Sequence, residues 1–198
     1  LSGTSDAEIM ARLGRPDEHP EGRFFPDTYR FPAGTTDEAF LRRALAAMDR
    51  RLNEVWVRRA PNLPLSDPYQ ALILASIVEK ETALPAERPA IAGVFARRLQ
   101  KGMPLQTDPT VIYGLGPAFD GNLRRQDLIA DTPYNTYLRK GLPPTPIAMP
   151  GADALAAVAN PAAGDALYFV ATGEGGHTFS ATLEEHHRAV RRYQSKGR

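Results

Sequence analysis

Pro68-Tyr69-Gln70-Ala71-Leu72-Ile73-Leu74-Ala75-Ser76-Ile77-Val78-Glu79-Lys80-Glu81-Thr82 is the stretch that decides the fold. Ser66-Asp67 places a capping side chain just before it. Pro68 in the first turn has no amide hydrogen to waste and a φ already suited to a helix, so the run starts as one. From 71 to 78 the residues are apolar nearly all round. A helix with no polar face belongs at the centre of a domain. The reading is a buried central helix over about 68–83, ending in Glu79-Lys80-Glu81-Thr82.

Working outward, a second amphipathic helix follows at about 86–101. Ile91, Val94, Phe95 and Leu99 face inward, and Gly102 closes the helix. Before the central helix, Thr35-Thr36-Asp37 supplies caps for a helix over about 37–59. Its stripe is Leu41, Ala44, Leu45, Met48, Leu52 and Val55. Arg42, Arg43, Arg50, Arg51, Arg58 and Arg59 lie largely off that stripe and read as a solvated face. A short helix is expected over 6–13. Beyond 102 the chain turns to loop. Thr110 to Tyr113 is read as a strand, 124–129 as a short helix and 134–150 as a proline-rich wall. An alanine-rich helix at 151–160 follows. Then come two strands around Gly173-Glu174-Gly175-Gly176, at 167–171 and 177–179, and a last helix at 183–194. Helices, then a hairpin, then a helix make an α+β fold: a helical core with short β hairpins and long proline-rich loops.

Composition bounds the function. The chain has 198 residues, 42% of them hydrophobic and 24% charged, which suffices for a sizeable core. Lys+Arg 24 against Asp+Glu 23 leaves a net charge of +1, which argues against a nucleic-acid partner held by phosphate neutralisation. No apolar stretch approaches the roughly 18–20 residues of a membrane span. The absence of cysteine excludes a disulfide framework, thiolate metal sites and a thiol nucleophile. The chain opens on Leu1-Ser2-Gly3 rather than Met, so an N-terminal anchor is expected outside it.

Four groups of residues could carry chemistry. Glu81 ends the apolar helix, with Leu74, Ile77 and Val78 toward its N-terminal side. A carboxyl against apolar walls loses hydration, its pKa rises, and it becomes a usable general acid. Glu79 lies roughly 200° round the helix, so the two cannot share one site face. Both also read as plain helix-end carboxylates paired with Lys80 or Arg88. Gln106, Thr107 and Asp108 form a polar loop suited to orienting a sugar, or an Asx turn before Pro109. Tyr134-Asn135-Thr136-Tyr137 offers rings to stack on sugar faces and an amide for their hydroxyls. It equally suits packing of the proline-rich loop. His177, after Gly175-Gly176, is open as ligand, base or surface residue. His186-His187 with Glu184-Glu185 is not an H-E-x-x-H arrangement, so no metal site is expected.

Read together, these segments resemble the YceG-like family, the endolytic murein transglycosylases. The resemblance rests on Ala75-Ser76-Ile77-Val78-Glu79-Lys80-Glu81-Thr82 and on the run from Arg98-Leu99-Gln100-Lys101-Gly102-Met103-Pro104-Leu105-Gln106-Thr107-Asp108-Pro109-Thr110 to Tyr113-Gly114. It also rests on Pro133-Tyr134-Asn135-Thr136-Tyr137, Gly141-Leu142-Pro143-Pro144, Tyr168-Phe169-Val170-Ala171 and Gly175-Gly176-His177-Thr178-Phe179. It covers about 21–194. Thr145 departs from the glycine common in relatives.

The resemblance implies a bacterial cell-wall enzyme anchored by an N-terminal helix at the periplasmic face of the inner membrane. Residues 1–20 would be the tail of a LysM-like segment or a linker, and 21–198 the catalytic domain. Its substrate would be the glycan strands of peptidoglycan, with cell-wall synthases as candidate partners and no metal or organic cofactor. The resemblance assigns the catalytic role to Glu81, with Glu79 as the fallback. Gln106, Asp108, Tyr134, Asn135, Tyr137 and Glu79 are the expected substrate-binding residues. Two other readings stand beside it: a muramidase that hydrolyses the same bond with Asp108 as second carboxylate, and a non-catalytic glycan-binding scaffold.

Overall fold

Helix α3, Pro68–Glu81, is the axis of the computed structural model, which describes residues 1 and 3–194. Asp67 caps it by accepting the Gln70 amide at 2.9 Å. Every residue from 71 to 78 is buried. Three helices surround it: α2 (Asp37–Val57), α4 (Arg88–Gln100) and α7 (Ala152–Ala159). Leu72, Leu74, Ile77 and Val78 meet Met48 and Leu52 of α2, Ile91 and Phe95 of α4, and Leu155 and Val158 of α7 in one core. Each of the larger side chains contributes about 1.5–3 kcal/mol by leaving water. That burial explains why α3 tolerates no polar face.

Ser76 is the polar exception inside α3, fully buried and fully used. Its Oγ donates to the Ile73 carbonyl at 2.7 Å and accepts the Ile147 amide at 2.9 Å. It thereby fastens the proline-rich 141–150 segment to the central helix. Helix α1 (Asp6–Arg12) docks Met10 and Leu13 on Leu45 of α2.

Two expectations need correction. Thr110 to Tyr113 is not a strand; it lies within α5, Asp108–Leu115. A four-residue apolar run has no periodicity of its own, and Pro109 in the first turn decided for helix. Thr110 Oγ supports that turn by donating to the Thr107 carbonyl at 2.8 Å. Consequently the described residues hold one β hairpin rather than several. Beyond it there is an isolated bridge between Pro104 and Lys140. The short helix at 124–129 is α6, Arg125–Leu128.

The hairpin pairs β1 (Tyr168–Ala171) with β2 (His177–Ser180) in antiparallel register, Phe169 opposite Phe179 and Ala171 opposite His177. Phe169 meets Phe95 of α4 edge to face at 5.7 Å, which seats the hairpin on the core. Helix α8 (Leu183–Gln194) packs against the hairpin, and His186 stacks on Tyr168 at 5.2 Å. The fold is α+β. Among the described residues no helix is long and apolar enough to cross a membrane.

Candidate active site

Glu81 is the last residue of α3. Thr82 leaves the helix at once with extended backbone (φ −145°, ψ 137°). The carboxyl therefore stands where the apolar helix stops, at the wall of a cleft of about 530 Å³. The loop of Gln106, Thr107 and Asp108 forms one side with Tyr137. Phe169 and His177 of the hairpin and His186 of α8 form another.

Electrostatics at Glu81 follow from this placement. Burial pushes its carboxyl above the usual carboxylate range. Thr107 Oγ opposes that by donating a hydrogen bond to Oε1, Asp108 adds to it by like charge, and His177 opposes it; burial prevails. The result is a carboxyl that keeps its proton to higher pH than a solvated one, as a general acid requires.

Thr107 is itself held by a buried set of hydroxyls. Its amide donates to Thr136 Oγ at 3.2 Å, and Thr110 Oγ lies 2.8 Å from Thr136 Oγ. All three threonines are buried. The Gln106 amide donates to the Thr136 carbonyl at 3.0 Å, so the 106–107 and 135–137 segments are laced together. Gln106 has φ 53°, left-handed backbone that costs a non-glycine residue about 1–3 kcal/mol and persists only where surroundings enforce it.

Much of that enforcement comes from Arg98 of α4. Only 6% exposed, it donates from Nε to the Leu167 carbonyl at 2.7 Å. From Nη1 it reaches the Leu105 carbonyl at 2.9 Å, the Pro104 carbonyl at 3.1 Å and Gln106 Oε1 at 3.2 Å. Its guanidinium also lies 5.0 Å from the centre of the Tyr168 ring. One buried cation thus ties the loop and the hairpin walls of the cleft to one helix.

The sequence-derived site residues divide into two groups. Gln106, Asp108 and Tyr137 line the cleft with Glu81. Tyr137 donates to Asp108 Oδ1 at 2.5 Å; burial and then that bond raise its phenol well above its ordinary value, so it stays a neutral donor. Tyr134, Asn135 and Glu79 lie outside the cleft lining. The Tyr134 hydroxyl pairs with Thr145 at 2.8 Å, and its ring packs on Tyr113 at 4.8 Å. Asn135 is fully buried. It donates to the carbonyls of Leu128 and Ala130 and accepts the Tyr137 amide at 2.9 Å, which aims the segment carrying Tyr137. Glu79 pairs with Arg88 at 2.9 Å and accepts the Gly151 amide at 3.0 Å, joining α3 to α4 and α7.

Sequence reasoning missed Arg98 and the role of the buried threonines. A signal for Arg98 exists: it follows Ile91 by seven residues and Phe95 by three, on the inward face of α4. An arginine on an apolar stripe must find buried acceptors there. The threonines carry no such signal, because their pairing depends on loops meeting in space. His177 is sharply held. Its amide donates to Glu87 Oε1 at 2.8 Å and its Nδ1 lies 2.7 Å from Glu87 Oε2. Among the described residues no group of three or more His, Asp or Glu is placed to hold a metal ion.

Comparison with known proteins gives the following. The model of the YceG-like family matches residues 3–192. An endolytic murein transglycosylase of Bacillus subtilis (strain 168) is 40% identical over 179 residues, covering 90% of this chain and 49% of its own length. An endolytic murein transglycosylase of Streptococcus pneumoniae (strain D39) is 37% identical over 172 residues, covering 84% of this chain and 31% of its own. The crystal structure of a yceG-like protein from Listeria monocytogenes aligns with a TM-score of 0.75 at 38% identity, covering 90% of this chain and 58% of that one. The chain therefore spans about half, or less, of the length of the curated relatives it matches.

Proposed function

Because the chain belongs to the YceG-like family, we propose that its cleft is the active site of an endolytic lytic transglycosylase acting on peptidoglycan. The observation that carries this reading is Glu81: a carboxyl at the end of a buried helix, raised by burial, facing a cleft. Ordinary glycosidases set two carboxyls across the bond, one acid and one base or nucleophile. Here the other carboxylate of the cleft, Asp108, is already bonded by Tyr137. A single acid then base suits this arrangement.

Glu81 protonates the oxygen joining N-acetylmuramic acid to the next N-acetylglucosamine. The C1–oxygen bond breaks, and the muramic ring passes through an oxocarbenium-like state assisted by its own acetamido group. Glu81, now a carboxylate, takes the proton of the 6-hydroxyl as that oxygen bonds to C1. The strand ends in 1,6-anhydro-muramic acid, Glu81 is protonated again, and no water is consumed. Thr107 steadies the carboxylate between the two steps. Gln106, Asp108 and Tyr137 position the glycan, while Asn135 and Tyr134 shape the wall that carries Tyr137.

The substrate on this reading is the nascent glycan strand, whose growth the cut terminates. The native protein acts at the periplasmic face of the inner membrane, held by an N-terminal helix, beside cell-wall synthases. Residues 1–20 are read as the tail of a LysM-like segment or a linker. Digestion of purified peptidoglycan, with mass spectrometry of the new glycan ends, tests the reaction type. Anhydro ends are expected. Reducing ends would mean a hydrolase using Asp108, and binding without turnover would mean a scaffold.

A further inference from the structure

Two cleft groups have their hydrogen-bonding character fixed from behind, in opposite senses. The first is His177. Glu87 takes its Nδ1 at 2.7 Å and its backbone amide at 2.8 Å, and Phe169 holds the ring edge to face at 5.4 Å. Burial raises Glu87, but hydrogen bonds from His177, the charge of that ring when protonated and a bond from Thr82 outweigh it and hold Glu87 below its ordinary value as a carboxylate, an acceptor only. Nδ1 therefore carries the hydrogen. In the neutral ring Nε2 is then an acceptor, and it lies on the ring edge away from Glu87. His177 lines the cleft and Glu87 does not.

The second is Gln106. Arg98 donates to its Oε1 at 3.2 Å. Arginine has no acceptor, so the carboxamide cannot flip, and the Nε2 amino group is left facing outward as a donor. The left-handed backbone of Gln106, locked by its bond to the Thr136 carbonyl, fixes where that side chain starts. The cleft thus offers one acceptor, present while the His177 ring is neutral, and one pre-set donor.

A sugar hydroxyl rotates to satisfy either kind of group, so a fixed pair of opposite sense gains little selectivity from hydroxyls. A secondary amide has one obligate donor and one obligate acceptor, and it answers such a pair. We propose that His177 and Gln106 are specificity-determining residues that read the acetamido groups of the glycan. His177 Nε2 accepts an acetamido N–H, and Gln106 Nε2 donates to an acetamido carbonyl. The inference rests on the glycan reading given above and adds to it the chemical group being recognised. Its consequence is discrimination against N-deacetylated strands, because a site built to bond a group is left with unpaired polar atoms when that group is missing.

The test is binding in the Glu81→Gln background, which separates recognition from turnover. The probes are an N-acetylglucosamine–N-acetylmuramic acid tetrasaccharide and its N-deacetylated counterpart, titrated calorimetrically. The parent is expected to prefer the acetylated form by about tenfold, the scale of one to two good hydrogen bonds. His177→Asn keeps a donor for Glu87 at the Nδ1 position but removes Nε2. Gln106→Glu keeps the acceptor for Arg98 but removes the donor. Each removes one of the two contacts and is expected to cut the preference to about threefold. The two variants lie on different elements, so misfolding of one leaves the other as the test. Equal binding of both probes by the parent, or the full preference surviving in the variants, would overturn the proposal while leaving the glycan reading intact. Failure of the parent to bind either probe would overturn the glycan reading itself, and the proposal with it.

Discussion

Thr107 Oγ donates its hydrogen bond to Glu81 Oε1, joining the last residue of α3 to the residue that precedes α5. The bond favours the charged form of Glu81 and works against burial, which favours the neutral form. Thr107→Val removes the hydroxyl with little change of shape, and the Thr107 amide keeps its bond to Thr136. Glu81 then loses a stabiliser of its charged form, and its pKa moves further up. Bond cleavage needs the acid form, so activity is lost as pH rises through that pKa. We expect the alkaline limb of the pH–rate profile to move to higher pH, with the maximal rate down about tenfold as the carboxylate of the second step loses its donor. A limb that stays in place would separate Thr107 from the titration of Glu81.

Glu81 also makes a prediction about stability. Its folded-state pKa is raised, so the folded protein holds this proton more tightly than the unfolded chain does. Below the ordinary carboxylate range both states are protonated and there is no penalty. As pH climbs from that range through the raised value, stability falls. Glu81→Gln removes the penalty. At pH 7 its unfolding midpoint should exceed the parent's, by about 2–4 °C for each kcal/mol of penalty removed. The gap should close toward about pH 4. Thermal unfolding across that pH range checks both the sign and the window.

Ser76 links the central helix to the proline-rich segment through Ile147. Ser76→Ala leaves the Ile147 amide buried without an acceptor. Denaturant unfolding should show a loss of about 1–3 kcal/mol. A loss near zero would mean that the segment finds another acceptor.

Gly93 in α4 lies against the chain that follows α7. A Cβ there would sit 2.5 Å from the Ala162 carbonyl oxygen. That carbonyl already accepts from Arg97 at 3.1 Å, so it cannot retreat freely. Gly93→Ala should destabilise by about 1–3 kcal/mol despite the better helix propensity of alanine. An unfolding free energy equal to the parent's would contradict the close approach.

How much of this was legible in the sequence depended on whether a signal was local. The run from 71 to 78, with its Asp-Pro start, carries burial and helix together, and α3 follows it closely. The two strands around Gly173 and Gly175 were legible for the same reason, since the turn chemistry and the alternation are adjacent. Thr110 to Tyr113 failed because four apolar residues have no period, and the deciding Pro109 lies just before them. Tyr134 and Asn135 show the other limit. A loop without periodicity does not say which face a residue turns to, so a cleft residue (Tyr137) and its buried supports look alike until the chain is folded. The separation of Glu79 from Glu81 was legible, because helical geometry alone puts them on opposite sides, and Arg88 was among the partners the sequence offered for a helix-end carboxylate; Gly151 for Glu79 and Thr107 for Glu81 were not.

That separation supplies the most direct measurement. Purified peptidoglycan is digested with the parent chain, Glu81→Gln and Glu79→Gln, and the new glycan ends are read by mass spectrometry. The account predicts 1,6-anhydro ends from the parent. Glu79→Gln should yield the same ends with reduced stability, through loss of its charged pair with Arg88. Glu81→Gln should lose activity by about 10²–10⁴-fold, the usual contribution of a general acid. Anhydro ends produced at the parent's rate by Glu81→Gln would contradict the central claim.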